Sequence, residues 1–275
     1  MKAELFAPSK PQANPNRPFS GHSGLTLNRV FCQENMSATD SSLYESEKLR
    51  AVTGPAIRPG GVDLTARAVE FCSFPAGARL LDVGCGEGAT VGFLRDSYRL
   101  DSFGVDFSSL LLADGKSRNG SLPLARATAE QLPFADCSLD GVLCECVFSL
   151  LPEPEKALRE FNRVLSLGGS LIMSDIYLRV PGEGLSVQGG AIDGCLMGAM
   201  SVSFLKTMLA ESGFSLILWE DHSHLLRELA ARLILADGSL EGFWATLNSA
   251  ACPVGGRTDK FGGRPGYYLL VARKD

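Results

Sequence analysis

The sequence lacks several features that would each assign it to a particular class of protein. None of its eight cysteines belongs to a Cys-x-x-Cys pair, which disfavours a zinc ribbon or a thioredoxin-type site. No apolar run approaches the ~20 residues that a membrane span needs, and the N-terminus has no apolar stretch typical of a secretory signal. Lys and Arg (26) do not outnumber Asp and Glu (31), so there is no general attraction to nucleic acids or anionic membranes. We therefore expect a cytoplasmic protein without a nucleic-acid or membrane partner.

Histidine is also scarce, since His22, His222 and His224 are the whole set. Candidates for a general base are therefore few. His222 and His224 stand close to Glu220 and Asp221, but two histidines two residues apart at a strand-to-helix junction are more often part of a surface turn. We predict no metal site.

What the chain does contain is an ordinary globular composition, with 45% hydrophobic and 21% charged residues. Its 275 residues fit one large domain with extensions. The first 40 residues are rich in Pro, Asn, Ser and Gln and show little hydrophobic period, which predicts a flexible tail. Residues 41–275 are predicted to form a single domain.

Short apolar strands alternate with helix-length segments along this domain. Strands are predicted at 78–83, 102–106, 122–127, 139–146, 170–176, 214–220 and 267–273. Helices are predicted at 41–50, 62–72, 89–98, 108–116, 155–165, 204–213 and 223–235. Strands separated by such helices form parallel sheets with right-handed crossovers. The pattern predicts a doubly wound α/β domain with a mostly parallel seven-stranded sheet, helices on both faces and an antiparallel last strand.

Two segments depart from this alternation. The Gly-rich stretch 178–203 has no clear period and is predicted to be a lid or loop. Residues 222–250 are predicted to form a helical insertion, which includes a helix at 240–248.

A glycine-rich turn follows the strand that ends at Val83. Gly84, Gly86 and Gly88 permit a tight strand-to-helix connection and let a ligand lie against bare backbone. Taken alone, this turn also fits the dinucleotide pattern G-x-G-x-x-G/A. Asp106, which stands 22 residues after Gly84 at the end of the second predicted strand, suits the ribose hydroxyls of either cofactor.

Charge around the turn distinguishes the two cofactors. Asp82 and Glu87 flank it, where a pyrophosphate would need N–H donors and no anions. S-adenosylmethionine (SAM) has no phosphate, and its ammonium and sulfonium groups are positive. We therefore predict SAM as the cofactor. An NAD(P)-dependent oxidoreductase and a non-catalytic cofactor-binding module are the alternatives.

Three further segments resemble the small-molecule class I SAM-dependent methyltransferases. They are GVDFS (104–108), AEQLPF (129–134), and EFNRVL (160–165) followed by Gly168-Gly169. The resemblance implies an enzyme that transfers a methyl group from SAM to a small molecule. Thr128 stands where the family usually has an acid that holds adenine. The glycine turn and this resemblance together predict a cofactor site made of Asp82, Gly84, Cys85, Gly86, Asp106, Phe107, Ala129, Glu130 and Cys144.

Arg58, in the segment RPGG (58–61), allows two interpretations. It is either a solvated turn residue or the partner of the cofactor carboxylate. We include it among the predicted cofactor-binding residues.

A narrower resemblance concerns the cysteines. The segments ECV (145–147), SDIY (174–177) and GCLMGA (194–199) resemble parts of the arsenite methyltransferases, with Glu145 in place of the usual Asn. This resemblance implies that Cys146 and Cys195 bind trivalent arsenic as the catalytic pair, and soft thiolates are its natural ligands. In the alternative interpretation Cys146 lines the cofactor pocket and Cys195 packs under the lid. The enzyme would then methylate carbon or oxygen of a quinone-like or other small metabolite.

Overall fold

The computed structural model describes residues 56, 58–179, 198–237 and 265–275, all within one compact unit that comprises residues 34–275. The described helices are α1 Gly61–Cys72, α2 Ala89–Tyr98, α3 Ser109–Arg118, α4 Pro154–Val164, α5 Val202–Glu211 and α6 Ser223–Asp237, and a 3₁₀ turn spans Phe148–Leu150. The strands are β1 Arg79–Val83, β2 Asp101–Asp106, β3 Leu124–Arg126, β4 Leu139–Glu145, β5 Leu165–Leu178, β6 Met200–Ser201, β7 Phe214–Asp221 and β8 Pro265–Lys274.

These strands form one sheet in the order β3-β2-β1-β4-β5-β8-β7, and β6 pairs separately with β5. Strands β1 to β5 pair in parallel, whereas β8 runs antiparallel to both β5 and β7. The predicted doubly wound α/β sheet with an antiparallel last strand is confirmed. Because β1 lies between β2 and β4, the connections reverse direction there, and open sheets bind ligands at such a switch point.

The core lies on both faces of the sheet. Alternate residues of one strand contribute to opposite sides, so Leu81 and Val83 belong to one cluster of buried residues while Leu80 belongs to another. Helix α4 illustrates how the sequence specifies its packing. Pro154 occupies its first turn, and its apolar residues at helical spacing face inward, with Ala157, Leu158, Phe161 and Val164 completely buried.

Some element bounds differ from the sequence-based prediction. Within the segment predicted as a lid, 178–203, the described residues include β6, and α5 begins at Val202 because the Ser201 hydroxyl accepts a hydrogen bond from the Phe204 N–H. Strand β3 is only three residues long. The tail 1–40, the helix at 41–50, most of the lid and the helix at 240–248 lie outside the described residues. No helix in the described part of the chain is long and apolar enough to cross a membrane.

Candidate functional site

The glycine turn lies at the carboxyl end of β1, beside the end of β4. Gly84 has a φ of +77°, and a Cβ there would lie 2.1 Å from Val147 Cγ2. The Gly84 and Cys85 N–H groups both donate to the Val105 carbonyl at 2.8 and 3.0 Å, which ties the turn to β2. The left-handed φ and the close approach both require glycine.

Asp106, at the end of β2, fixes the glycine turn from the other side. Its Oδ2 accepts a hydrogen bond from the Gly86 N–H at 2.7 Å, and its Oδ1 accepts one from the Ser108 N–H at 2.8 Å. A carboxylate offers about four lone-pair sites, so it can accept more than these two bonds. The next residue, Phe107, is 37% exposed, with the Arg126 guanidinium 5.4 Å from its ring centroid. The ring therefore offers a face for stacking beside Asp106.

The loop that follows β3 is held by a charged pair on α4. Arg163 Nη1 and Nη2 donate to the carbonyls of Phe134 and Leu132, and Nε donates to Glu160 Oε1 at 2.7 Å. Glu160 Oε2 in turn accepts from the Leu132 N–H at 2.9 Å. Burial would raise the pKa of Glu160, but these hydrogen bonds hold it below its usual value. The Glu-x-x-Arg segment therefore clamps the loop.

Two predicted binding residues lie at the start of this loop. Ala129 is buried, and Glu130 Oε1 is buried without a hydrogen-bond partner among the described residues. A buried acceptor of this kind is costly unless a donor reaches it.

A buried charged cluster joins β4 to the N-terminal part of the domain. Arg58 Nη2 forms an ion pair with Glu145 Oε2 at 2.9 Å, and their side chains are only 9% and 1% exposed. The same nitrogen donates to the hydroxyls of Thr65 at 2.6 Å and Thr90 at 2.9 Å. The Thr65 hydroxyl donates to Glu145 Oε1 at 2.9 Å. Arg58 Nε is buried and has no partner among the described residues.

Asp82 lies next to this cluster on β1. The pKa of Asp82 is raised to about 8, mainly by burial. The negative charge of Glu145 contributes to this rise, and its effect is larger than the opposing effect of Arg58. Burial also raises the pKa of Glu145, although Arg58 and Thr65 act in the opposite direction. Two buried carboxyl groups share one guanidinium, so the cluster retains a proton near neutral pH.

Glu87, which was expected beside a cationic ligand, forms an ion pair with Arg118 on α3. Asp82 and Glu145 are the buried carboxyl groups beside the glycine turn that neighbour Arg58.

The two cysteines near the end of β4 lie in different surroundings. Cys144 is completely buried in the same hydrophobic cluster as Tyr268. Cys146 has a φ of +56° and packs against the opposite cluster. Its Sγ lies 3.1 Å from the Tyr267 hydroxyl, which donates to Ser174 Oγ at 3.1 Å. A positive φ is uncommon for a residue other than glycine and signals a constrained position.

Of the other two predicted features, Cys195 lies outside the described residues. His222 Nε2 lies 2.9 Å from Glu220 Oε2, and among the described residues no group of three or more metal-binding side chains is assembled.

A small cavity lies past the carboxyl end of β4, beside the C-terminal part of β5. It is lined by Phe148, Ser149, Asp175, Ile176, Gly198, Met200, Leu205 and Tyr268. Asp175 is fully buried and accepts hydrogen bonds from the Ser149 N–H and hydroxyl, both at 2.8 Å. Burial raises its pKa to about 6. The other residues that line the cavity are mostly apolar.

Thr65, Thr90 and Tyr267 were not among the residues predicted for the site. One signal was available in the strand LDGVLCE, where Glu145 is a charged residue within an apolar run. A buried carboxylate needs a buried partner, so Glu145 required a cation from a distant segment.

Comparison with known proteins gives a consistent result. Residues 81–173 match the family model described as a methyltransferase domain. The chain is 28% identical over 155 residues to the arsenite methyltransferase of Halobacterium salinarum, which is 54% of this chain and 40% of that protein. It is 37% identical over 99 residues to the demethylmenaquinone methyltransferase of Renibacterium salmoninarum, which is 36% of this chain and 41% of that protein. The chain thus spans less than half the length of both relatives.

A solved structure with a similar fold is phosphoethanolamine N-methyltransferase 2 of Haemonchus contortus, in complex with phosphomonomethylethanolamine and S-adenosylhomocysteine (SAH). The TM-score is 0.62 and the identity 18%, and the match covers 86% of this chain and 57% of that one. At this identity the likeness concerns the fold alone.

Proposed function

We propose that this chain, which contains a class I SAM-dependent methyltransferase domain, transfers a methyl group from SAM to a small molecule. The observation that carries the proposal is the buried acidic cluster beside the glycine turn, at the switch point of the sheet. It contains two buried carboxyl groups, Asp82 and Glu145, and one cation, Arg58. Such a cluster favours a cationic ligand without phosphate.

The residues present fit SAM along its length. Asp82 suits the ammonium group, and the buried Arg58 Nε suits the carboxylate because it still needs an acceptor. Asp106 suits the ribose hydroxyls, and Phe107 suits the face of the adenine. The buried Glu130 Oε1 still needs a hydrogen-bond donor, which the adenine end of the ligand can provide. When bound, SAM supplies the methyl group on its sulfonium.

The protein's part in the reaction follows from this geometry. The glycine turn lets the cofactor lie against backbone, and the hydrogen bonds of Asp106 and Arg163 keep the surrounding loops in place. Holding an acceptor in line with the methyl group removes much of the entropy that the reaction must otherwise lose.

Binding measurements separate methyl transfer from hydride transfer. By isothermal titration we expect SAH to bind in the micromolar range, on the order of 1–10 μM, and NAD not to bind. At a concentration ~100 times its dissociation constant, SAH should stabilise the fold by about 2.7 kcal/mol. A melting shift with NAD but none with SAH would contradict the proposal. Turnover with an acceptor then distinguishes an enzyme from a non-catalytic cofactor-binding module.

For the acceptor we propose a thiophilic metalloid such as arsenite. The support is the partial similarity to the halobacterial arsenite methyltransferase and the position of Cys146, a partly buried thiol at the carboxyl end of β4. The Tyr267 hydroxyl beside it is a hydrogen-bond partner that the thiol can use. A lone pair on bound arsenic(III) needs no strong general base, which agrees with the scarcity of histidine. The alternative acceptor is carbon or oxygen of a quinone-like metabolite, which the demethylmenaquinone relative favours.

Cysteine variants decide between these acceptors. With thiol reductant present, Cys146→Ser and Cys195→Ser should each abolish arsenite-dependent methyl transfer and leave SAH affinity unchanged. Cys137→Ser is the matched control, since this exposed thiol lies 3.7 Å from Lys274 Nζ, outside the predicted site. Wild-type protein that methylates a demethylquinol but not arsenite would favour the alternative.

A further inference from the structure

The buried Arg58–Glu145 pair ties the segment before α1 to the end of β4. Arg58 Nη2 donates to the hydroxyls of Thr65 and Thr90 and forms an ion pair with Glu145. Its Nε remains as a buried donor without a partner among the described residues. An ion pair removed from water needs all its remaining hydrogen-bonding groups satisfied. The Nε donor is therefore available to an acceptor on a ligand.

We propose that Glu145 is a positioning residue for the amino-acid end of SAM, and that cofactor binding displaces one proton from the pocket that Glu145, Arg58 and Asp82 form. This inference rests on the proposed function. In it, Glu145 holds Arg58 so that Nε receives the cofactor carboxylate. Arg58 is already paired with Glu145. Asp82 therefore has no cation of its own until the cofactor ammonium group binds.

Several charged and titratable groups surround Asp82. They are Glu145 on β4, Arg58 before α1, Asp106 on β2, and the thiols of Cys85 and Cys144. Only Arg58 among them is a cation, and it is paired with Glu145. The carboxyl group of Asp82 therefore keeps its proton near neutral pH.

The proton balance follows from these charges. An α-amino group carries its proton below about pH 7.7, so the ligand arrives as an ammonium ion. When it pairs with Asp82, the carboxyl proton leaves to solvent, and the ammonium keeps its own. A group that gives up its proton on binding makes the affinity increase with pH up to the pKa of the free group, here about 8. The affinity for SAH should therefore weaken roughly tenfold for each pH unit below about 7.5.

Calorimetry tests this exchange without relying on activity. SAH is titrated into the 275-residue chain at pH 7.0 in phosphate and in Tris, whose ionisation enthalpies differ strongly. We expect the apparent enthalpies to differ by the release of about one proton. Glu145→Gln removes the negative charge, so Arg58 becomes available to Asp82. The number of protons released per SAH bound should then fall well below one. The dissociation constant should also depend less on pH between 6.0 and 7.5.

Two further variants keep the test informative. Glu153→Gln, on an exposed glutamate paired with Lys156, should release the same proton as the wild type. Glu145→Asp keeps the charge and should retain the pH dependence even if its affinity is lower. It also stands in if Glu145→Gln does not fold.

The outcomes are distinguishable. SAH binding whose enthalpy does not depend on the buffer, and whose affinity is constant from pH 6.0 to 7.5, would overturn the role of Glu145 and leave the proposed function intact. Absence of SAH binding at every pH would overturn the proposed function itself.

Discussion

At the scale of single residues, Asp106 has two roles. Its carboxylate accepts hydrogen bonds from the Gly86 and Ser108 N–H groups, so it orders the glycine turn and the start of α3 before any ligand binds. The Ser108 hydroxyl caps the same helix by accepting from the Leu111 N–H at 3.2 Å. The residue predicted to bind ribose is thus already fixed by the fold, which is the preorganisation that binding sites need.

Replacing Asp106 by alanine should weaken SAH binding at least tenfold while the fold survives. Hydrogen bonds to a charged group contribute roughly 1.5–3 kcal/mol each, and the change removes those to the turn and those expected to the ribose. Isothermal titration measures the loss. Asp101→Ala is the control, because Asp101 begins the same strand and forms an ion pair with Arg95, a partly exposed residue. An unchanged affinity in Asp106→Ala would mean that the ribose lies elsewhere.

At the scale of elements, the glycine turn and the segment after β4 are packed against each other. Gly84→Ala would place a Cβ 2.1 Å from Val147 Cγ2 at a φ of +77°. We expect it to lower SAH affinity more than tenfold, because steric displacement of the turn alters the site by on the order of 1 Å. Gly168→Ala is the matched control, with a φ of +73° and open space around the new methyl group.

The double variant Gly84→Ala/Val147→Ala separates the two causes. It removes the closest clash and keeps the backbone strain, so part of the lost affinity should return. If the single Gly84 and Gly168 variants bind SAH equally well, the close packing at Val147 has no functional importance.

The clamp formed by α4 gives a second prediction at this scale. Arg163→Met removes the donors to the Phe134 and Leu132 carbonyls and leaves Glu160 without its partner. We expect the free energy of unfolding, measured with urea, to fall by roughly 2–3 kcal/mol. Arg159→Met, at an exposed position of the same helix, should change it by less than about 0.5 kcal/mol. Equal effects would show that the clamp does not stabilise the loop.

At the scale of the whole molecule, buried carboxyl groups determine how stability depends on pH. Burial raises the pKa of Asp82 to about 8 and that of Asp175 to about 6, and it also raises that of Glu145. The folded state therefore binds these protons more tightly than the unfolded state. Their contribution is fully present below the unfolded pKa near 4 and is lost as pH rises through the folded pKa.

The ligand-free protein should consequently be less stable at pH 8.5 than at pH 5.5, by up to roughly 3 kcal/mol. Urea unfolding at the two pH values measures this difference. Asp82→Asn should reduce it, because the amide does not titrate, and saturating SAH should reduce it by supplying a cation. A stability that rises from pH 5.5 to 8.5 would contradict the assignment of buried, proton-binding carboxyl groups.

The sequence by itself determined the architecture and the position of the cofactor turn. The alternation of strands and helices is a local property, because hydrophobic period follows directly from the geometry of each element. The position of Asp106 could also be predicted from the sequence, because it ends the next strand along the chain after the glycine turn. The predicted domain limits and the individual binding roles stay predictions.

Only the tertiary structure decided which charged groups meet. Arg58 lies far from Glu145 in the sequence, and no local pattern indicates that they form a buried pair. Glu87 was expected beside a cationic ligand, yet α3 brings Arg118 to it. The left-handed φ of Cys146 ends the alternation of β4 and separates this thiol from Cys144. Pairings of this kind depend on the three-dimensional approach of distant segments, and composition and period carry no information about that approach.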